Sequence, residues 1–167
     1  MNLFVLSDMP MIAAQSHADV HVAENTKHVV NFLTVPMVTS MRTYSNEERD
    51  HPCAEWVRAT RGNYRWTLRL AECLCDEYDL RFHHVHGWRS IVRVARDHFN
   101  SFETKLPDGD LQPFLQHVPA HCKSEDAVQA YRMHYLEMSE LRWLSGERLP
   151  PPWWQDAVPD WEEKNRA

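Results

Sequence analysis

Between residues 56 and 82 apolar side chains return at spacings of three and four along two faces at once. One stripe is Val57, Thr60, Tyr64, Leu68, Ala71, Cys75, Tyr78 and Phe82; the other is Trp56, Ala59, Asn63, Trp66, Leu70, Cys73, Glu77 and Leu80. A surface helix needs one such stripe, so two imply a helix covered on both sides at the centre of a bundle. Asn63 and Glu77, which lie in the second stripe, then need buried hydrogen-bond partners. Gly62 is a point where this helix can break in two. A chain of 167 residues has room for one core of this kind, and 4 Gly against 10 Pro suits stiffly connected helices better than a turn-rich sandwich. The reading is a mainly α fold, a single helical domain over 1–167, with Met1 to Leu6 as a short strand or extended arm.

The other elements follow from caps and spacing. Ser7 and Asp8 before Pro10 start a helix expected to run to Val35, where Pro36 ends or kinks it. Asn46 to Asp50 reads as a charged loop, and His51-Pro52 opens the central helix. Trp88, Ile91, Val92, Ala95 and Phe99 give a third helix with Arg89, Arg93 and Arg96 on its other side. Leu106 to Pro119 carries three prolines and reads as a long connection. Ser124 caps a fourth helix continuing to about Trp143, with Glu125 and Asp126 in its first turn. Leu149 to Pro152 with Trp153 and Trp154 folds back over the bundle, and Asp160 to Ala167 frays.

Charge narrows the function. Lys and Arg number 18 against 24 Asp and Glu, a formal charge of -6, so wholesale coating of a polyanion is not the expected binding mode and any nucleic-acid contact must be local. Of the basic residues 14 are Arg and 4 Lys, a bias toward the side chain that grips phosphate in a fork and stacks on bases. Cys53, Cys73, Cys75 and Cys122 show no paired spacing, which points to reduced, intracellular cysteines. No apolar run is long enough to span a membrane.

Two constellations carry the chemistry. His17, His21, Glu24 and His28 are separated by four, three and four residues, so on one helix they share a face, with Asp19 beside them. Such a row serves as a solvated polar face, as a proton-transfer or phosphate-binding set, or as metal ligands. It lacks the second ligand pair of specific zinc signatures, so no metal is assigned, and the sequence leaves the cofactor unknown. The second constellation is residues 51–66, HPCAEWVRATRGNYRW. His51 stands at a helix entrance where free N–H groups attract anions. Arg58, Arg61, Arg65 and Arg69 run beside Trp56, Tyr64 and Trp66, an interleaving suited to holding a base and its phosphate. Glu72 and Asp76 on the same stripe offer intrahelical ion pairing instead. Cys53 is either a nucleophile or a small core residue.

FVLSDMPMIAAQSHADVHV, HPCAEWVRATRGNYRWTLRLAECLCDEYDLRF, His86, and the later AVQAYRMHYL and LPPPWW resemble, in order and over nearly the whole chain, a family of short proteins of tailed bacteriophages. That family reads close to AAQxHCDKHVVK, then HPCxxWxRxSxxNYxW, then AYRxYY. The matching positions are His17, Asp19, His21, His51, Cys53, Trp56, Arg58, Asn63, Tyr64, Glu77, Tyr78, Arg81, His86, Tyr131 and Arg132. Arg61, Arg65 and Arg69 fall outside the pattern. Val20 stands where the family has Lys, and His28 where it has Glu. The resemblance implies a phage-encoded protein working in the host cytoplasm. Its small helical character is similar to phage pyrimidine-dimer glycosylases, and phage genomes of this kind also encode enzymes that hypermodify thymine.

Two functions follow. In the first, the protein is an enzyme acting on a pyrimidine base in phage DNA or on its nucleotide, by group transfer on a modified thymine or by glycosylase-like cleavage. His17, Asp19, His21, His51 and Glu77 are then the catalytic set, while Trp56, Arg58, Asn63, Tyr64, Arg81, His86, Tyr131 and Arg132 bind substrate. In the second, it is a non-enzymatic helical protein that engages a host protein or nucleic acid. An enzyme gathers His17, His21, His51, Arg58 and Arg81 around one concave pocket, and a binder leaves them apart.

Overall fold

The computed structural model describes residues 2–35, 46–97, 99 and 105–166 of the chain. Among these the fold is mainly α, without strands. The helices are α1 (Pro10–Ser16), α2 (Asp19–Thr34), α3 (Asn46–Arg49), α4 (Pro52–Ala59), α5 (Arg61–Phe82), α6 (Arg89–Asp97), α7 (Ala127–Leu136), α8 (Pro152–Ala157) and α9 (Trp161–Arg166). A 3-10 turn at Ala120–Cys122 precedes α7.

The double stripe makes α5 the hub, with α1, α2, α4 and α6 packed around it. Tyr64, Leu70, Ala71, Leu74 and Cys75 are sealed from solvent, and Asn63 and Glu77 are buried as the pattern requires. The break in this long helical run comes at Thr60, not at Gly62. Thr60 takes an extended backbone and its side chain accepts from Asn63 N, ending α4 and capping α5. Gly62 has a different task. A Cβ there would lie 2.2 Å from Leu111 N and 2.3 Å from the Asp110 carbonyl carbon, so only glycine lets the 107–113 backbone press on the first turn of α5. That backbone supplies acceptors to the helix end, Pro107 O to Arg61 N and Gly109 O to Gly62 N, both at 3.0 Å. The long connection is thus an extended strap, tied further on by Trp56 Nε1 to Pro113 O at 2.9 Å and Tyr131 Oη to Leu115 O at 2.9 Å.

The expected single helix over 10–35 is two helices. His17 and Ala18 both adopt extended backbone, with ψ of 138° and 159°, and turn the chain between α1 and α2. Residues 2–6 form an irregular buried arm, not a strand, with Phe4 at a positive φ of 43°. Asn46–Arg49 is a short helix where a loop was expected. The fourth helix is capped by Asp126 and stops at Leu136, well short of Trp143. Trp161–Arg166 is helical where fraying was expected. Pro36 lies outside the described residues. Trp153 and Trp154 do fold back, their rings facing Tyr135 at 6.2 and 6.5 Å. No helix is long and apolar enough to cross a membrane among the described residues.

Candidate functional site: a histidine-lined pocket

Three elements meet at one cavity of about 480 Å³: α2, α7, and the end of the strap, with the N-terminal arm as its floor. His21, Glu24, Asn25 and His28 come from α2 at helical spacing, His134 from α7, His117, Val118 and Pro119 from the strap, and Asn2 and Phe4 from the arm. The volume lies in the range of small-molecule sites, and the lining is polar with an aromatic face. Phe4 holds a backbone conformation that costs a bulky residue about 1–3 kcal/mol. It thereby stacks on His21 with ring centroids 4.6 Å apart.

The hydrogen bonds fix which atoms the pocket presents. His17 Nδ1 is 2.7 Å from Ala13 O, which can only accept, so Nδ1 carries the proton and Nε2 is left as an acceptor. Asn25 Nδ2 lies 3.4 Å from that Nε2 and donates to it, which turns Asn25 Oδ1 the other way. Oδ1 is buried and has no partner among the described residues. His21 is set by a similar relay. Tyr135 Oη accepts from Ala18 N at 3.2 Å, and His21 Nδ1, at 2.5 Å, is the remaining partner for the phenolic proton. Nδ1 therefore accepts, and Nε2–H remains as a donor. One turn of α2 thus offers a donor from His21 and an unmet acceptor from Asn25.

The imidazoles of His17, His21, His28 and His117 are neutral near pH 7. Burial pulls His21 down to about 4 and His17 to about 3. His28 and His117 are also lowered, first by burial, and in His28 also by the charges of Lys27 and His51. Neutral imidazoles beside the Glu24 carboxylate suit proton transfer at neutral pH. Among the described residues the lining contains no Arg or Lys side chain.

Of the residues named as catalytic or substrate-binding, only His21 lines the pocket, joined by Glu24 and His28 of the same predicted row. His17 stands behind it, with ring centroids 6.5 Å apart, off the α2 face that the spacing had assigned to it because the helix breaks at that residue. His51 touches the far wall, its ring 4.8 Å from His117, and its Nδ1 accepts from Cys53 N, capping α4 in place of an external anion. Asp19, Glu77 and Arg81 form a separate buried cluster. Arg81 Nε donates to Glu77 at 3.1 Å, Nη1 to His17 O at 2.8 Å and Asp19 at 3.0 Å, and Nη2 to Gln15 O at 3.0 Å, while Nη2 also lies 3.0 Å from Glu77 Oε2 in an ion pair. Every guanidinium nitrogen is engaged and the side chain is wholly buried, so this residue clamps the α1–α2 corner and is not offered to a phosphate. Arg148 completes the cluster on Glu77 at 2.6 Å, and Asp19 also accepts from Leu144 N and Ser145 N at 2.7 and 2.8 Å.

The remaining residues are tied into the fold. Asn63 bonds Trp56 O and both ends of Gln112, and Trp56 packs on Phe114. Tyr64 is sealed, its ring stacked on Phe99 at 5.5 Å. Arg58 donates to Arg49 O and pairs with Glu55. His86 Nε2 donates to Ala23 O while its Nδ1 accepts from Trp88 N. Tyr131 anchors the strap, and Arg132 donates to Leu6 O beneath Trp153. Burial pushes the Cys53 thiol up to about 12, which leaves it a core residue without thiolate character. Asn25, His117 and His134 are the pocket residues that spacing did not single out. Asn25 lies at i+4 from His21 on the predicted face, a signal open to view, whereas His117 and His134 meet α2 only through tertiary folding.

Comparison of the chain with protein-family models, with curated proteins and with solved structures finds no match.

Proposed function

We propose that this protein is a phage-encoded enzyme acting on a pyrimidine base, in DNA or as a nucleotide, with the histidine-lined pocket as its active site. The observation that carries the reading is the pair on α2, the unmet Asn25 Oδ1 and the His21 Nε2–H. A ring amide edge, N–H beside C=O, is complementary to such a pair, and thymine or uracil carries that edge. A buried acceptor without a partner costs about 1–3 kcal/mol, which a bound N–H group recovers. His28 and His117, neutral at pH 7, and Glu24 supply proton transfer for group transfer on a modified thymine or for glycosylase-like cleavage. Recognition runs through the base edge. The phosphate grip expected of Arg58 and Arg81 has no support at this pocket, because both guanidinium groups serve other partners. The phage attribution rests on the motif resemblance.

Calorimetric titration with thymidine, thymidine monophosphate and short modified and unmodified DNA tests the proposal. Thymidine binds nearly as well as its monophosphate, and Asn25→Ala or His28→Gln weakens both at least about tenfold, or about 1.4 kcal/mol. If none of these ligands binds below millimolar, the enzyme reading fails in favour of the helical binder. That competing reading draws on Met9, Met11 and Ile12, exposed at the start of α1, and predicts no nucleoside dependence.

A further inference from the structure

Behind the pocket wall, the strap ends in the 3-10 turn Ala120–Cys122, and this turn faces the last residue before α7 unwinds. His121 Nε2 lies 2.6 Å from Glu137 Oε1, and Cys122 Sγ lies 3.4 Å from Glu137 Oε2. The three ligand atoms all fall within 4.8 Å of one another. They are an imidazole, a thiol and a carboxylate, the donor types that zinc takes from proteins. His134 Nδ1 adds a second observation. It is 3.7 Å from Glu137 Oε2, on the same helical turn, and it is buried with no hydrogen bond among the described residues.

We infer that His121, Cys122 and Glu137 form a binding site for a divalent transition metal of zinc type, with His134 Nδ1 in reach of the same Glu137 carboxylate. Ligand atoms around a tetrahedral zinc stand about 3.3–3.8 Å apart, from metal–ligand distances of about 2.0–2.3 Å. The Cys122–Glu137 and His134–Glu137 separations already meet that spacing. The His121–Glu137 hydrogen bond has to open by about 1 Å and the widest pair, within 4.8 Å, to close by about as much, shifts that the exposed His121 and Glu137 side chains can make. Binding displaces the Cys122 thiol proton to solvent and replaces its hydrogen bond to Glu137 with a metal–thiolate bond. The thiol is sealed from solvent while His121 is exposed, so the ion enters from the His121 side.

The location gives the ion a task. Val118 and Pro119, just before the turn, and His134, one turn before Glu137, are walls of the histidine pocket. A metal joining the turn to α7 pins two of the pocket's walls together. The site does not depend on what the pocket binds.

Cobalt(II) titrated into untagged, chelator-treated full-length protein tests the inference. One equivalent produces a near-ultraviolet thiolate-to-metal charge-transfer band and visible bands of tetrahedral intensity, and zinc abolishes both. Cys122→Ser loses the charge-transfer band. His121→Ala, at an exposed position that leaves the core intact, weakens zinc at least about tenfold and removes the rise in melting temperature that zinc gives the unaltered protein. Absence of the band from folded protein, its persistence in Cys122→Ser, or an unchanged zinc affinity in His121→Ala overturns the site.

Discussion

Two residues of α2, Asp19 and His21, are separated by a single position and belong to opposite kinds of environment. Asp19 joins Arg81, Glu77 and Arg148 in a charged cluster where the Arg81 side chain is wholly buried and each of its nitrogens has an acceptor. His21 joins a cavity of imidazoles, amides and the Glu24 side chain where Asn25 Oδ1 has no hydrogen-bond partner among the described residues. Both sets are polar, but the first is largely buried while the second opens to solvent at Glu24 and His117. The first is complete without a ligand and therefore locks the fold. The second is incomplete, and its missing partner gives it a preference for what enters. A motif rich in charged residues is thus a poor guide to the place where chemistry happens.

Replacing Arg81 by Met tests the first half of this contrast and has the largest expected effect. It takes from Asp19 and Glu77 the buried cation they share, leaving Asp19 with two backbone amides and Glu77 with Arg148, and lowers stability by about 3–5 kcal/mol in urea melts. A variant that melts normally shows that this cluster does not lock the fold.

Acid probes the second half. His17 and His21 titrate well below 6.5 when folded, so the unfolded chain binds more protons in acid. The stabilisation is whole above pH 6.5. It falls with pH as the unfolded imidazoles protonate, and the loss accumulates down to about 4 for His21 and about 3 for His17. Between pH 7 and pH 5 each histidine accounts for roughly 2 kcal/mol. His17→Gln should remove its share of that pH dependence, and an unchanged slope would mean that His17 is not titrating from a buried state.

Tyr135→Phe is a smaller perturbation, about 1–2 kcal/mol, because it deletes the hydroxyl between Ala18 N and His21 Nδ1. With the donor to the neutral ring gone, His21 should titrate above 4 by NMR. A midpoint that stays or falls would reverse the assigned tautomer. Arg58→Ala should be nearly silent, within about 0.5 kcal/mol in melts and without effect on thymidine binding. A tenfold loss of affinity would return phosphate recognition to the central helix.

The central helix was legible because burial on two faces leaves a pattern that no other element produces. The break at His17 and Ala18 was not, since neither residue opposes a helix. The corner is held by groups far along the chain, Arg81 on His17 O, Tyr135 on Ala18 N and Arg142 O on Asp19 N. The spacing of His17, His21 and His28 survives that corner by coincidence of period, which is why His17 reads as a member of a face it does not share. Glu77 and Asn63 were legible as buried groups because polar residues inside an apolar stripe must find partners. Half of the pocket was not, because His117 lies in an extended strap that has no periodicity to betray where it docks.

The buried cluster also sets an order on synthesis. Asp19 waits for the amides of Leu144 and Ser145, and Glu77 waits for Arg148, partners as many as 126 residues downstream. A chain emerging from the ribosome can form α5 early, but until residue 148 has cleared the exit tunnel these carboxylates lack part of their shell. The corner that positions His21 is then among the last parts of the molecule to set, so the nascent protein passes most of its translation without a finished pocket.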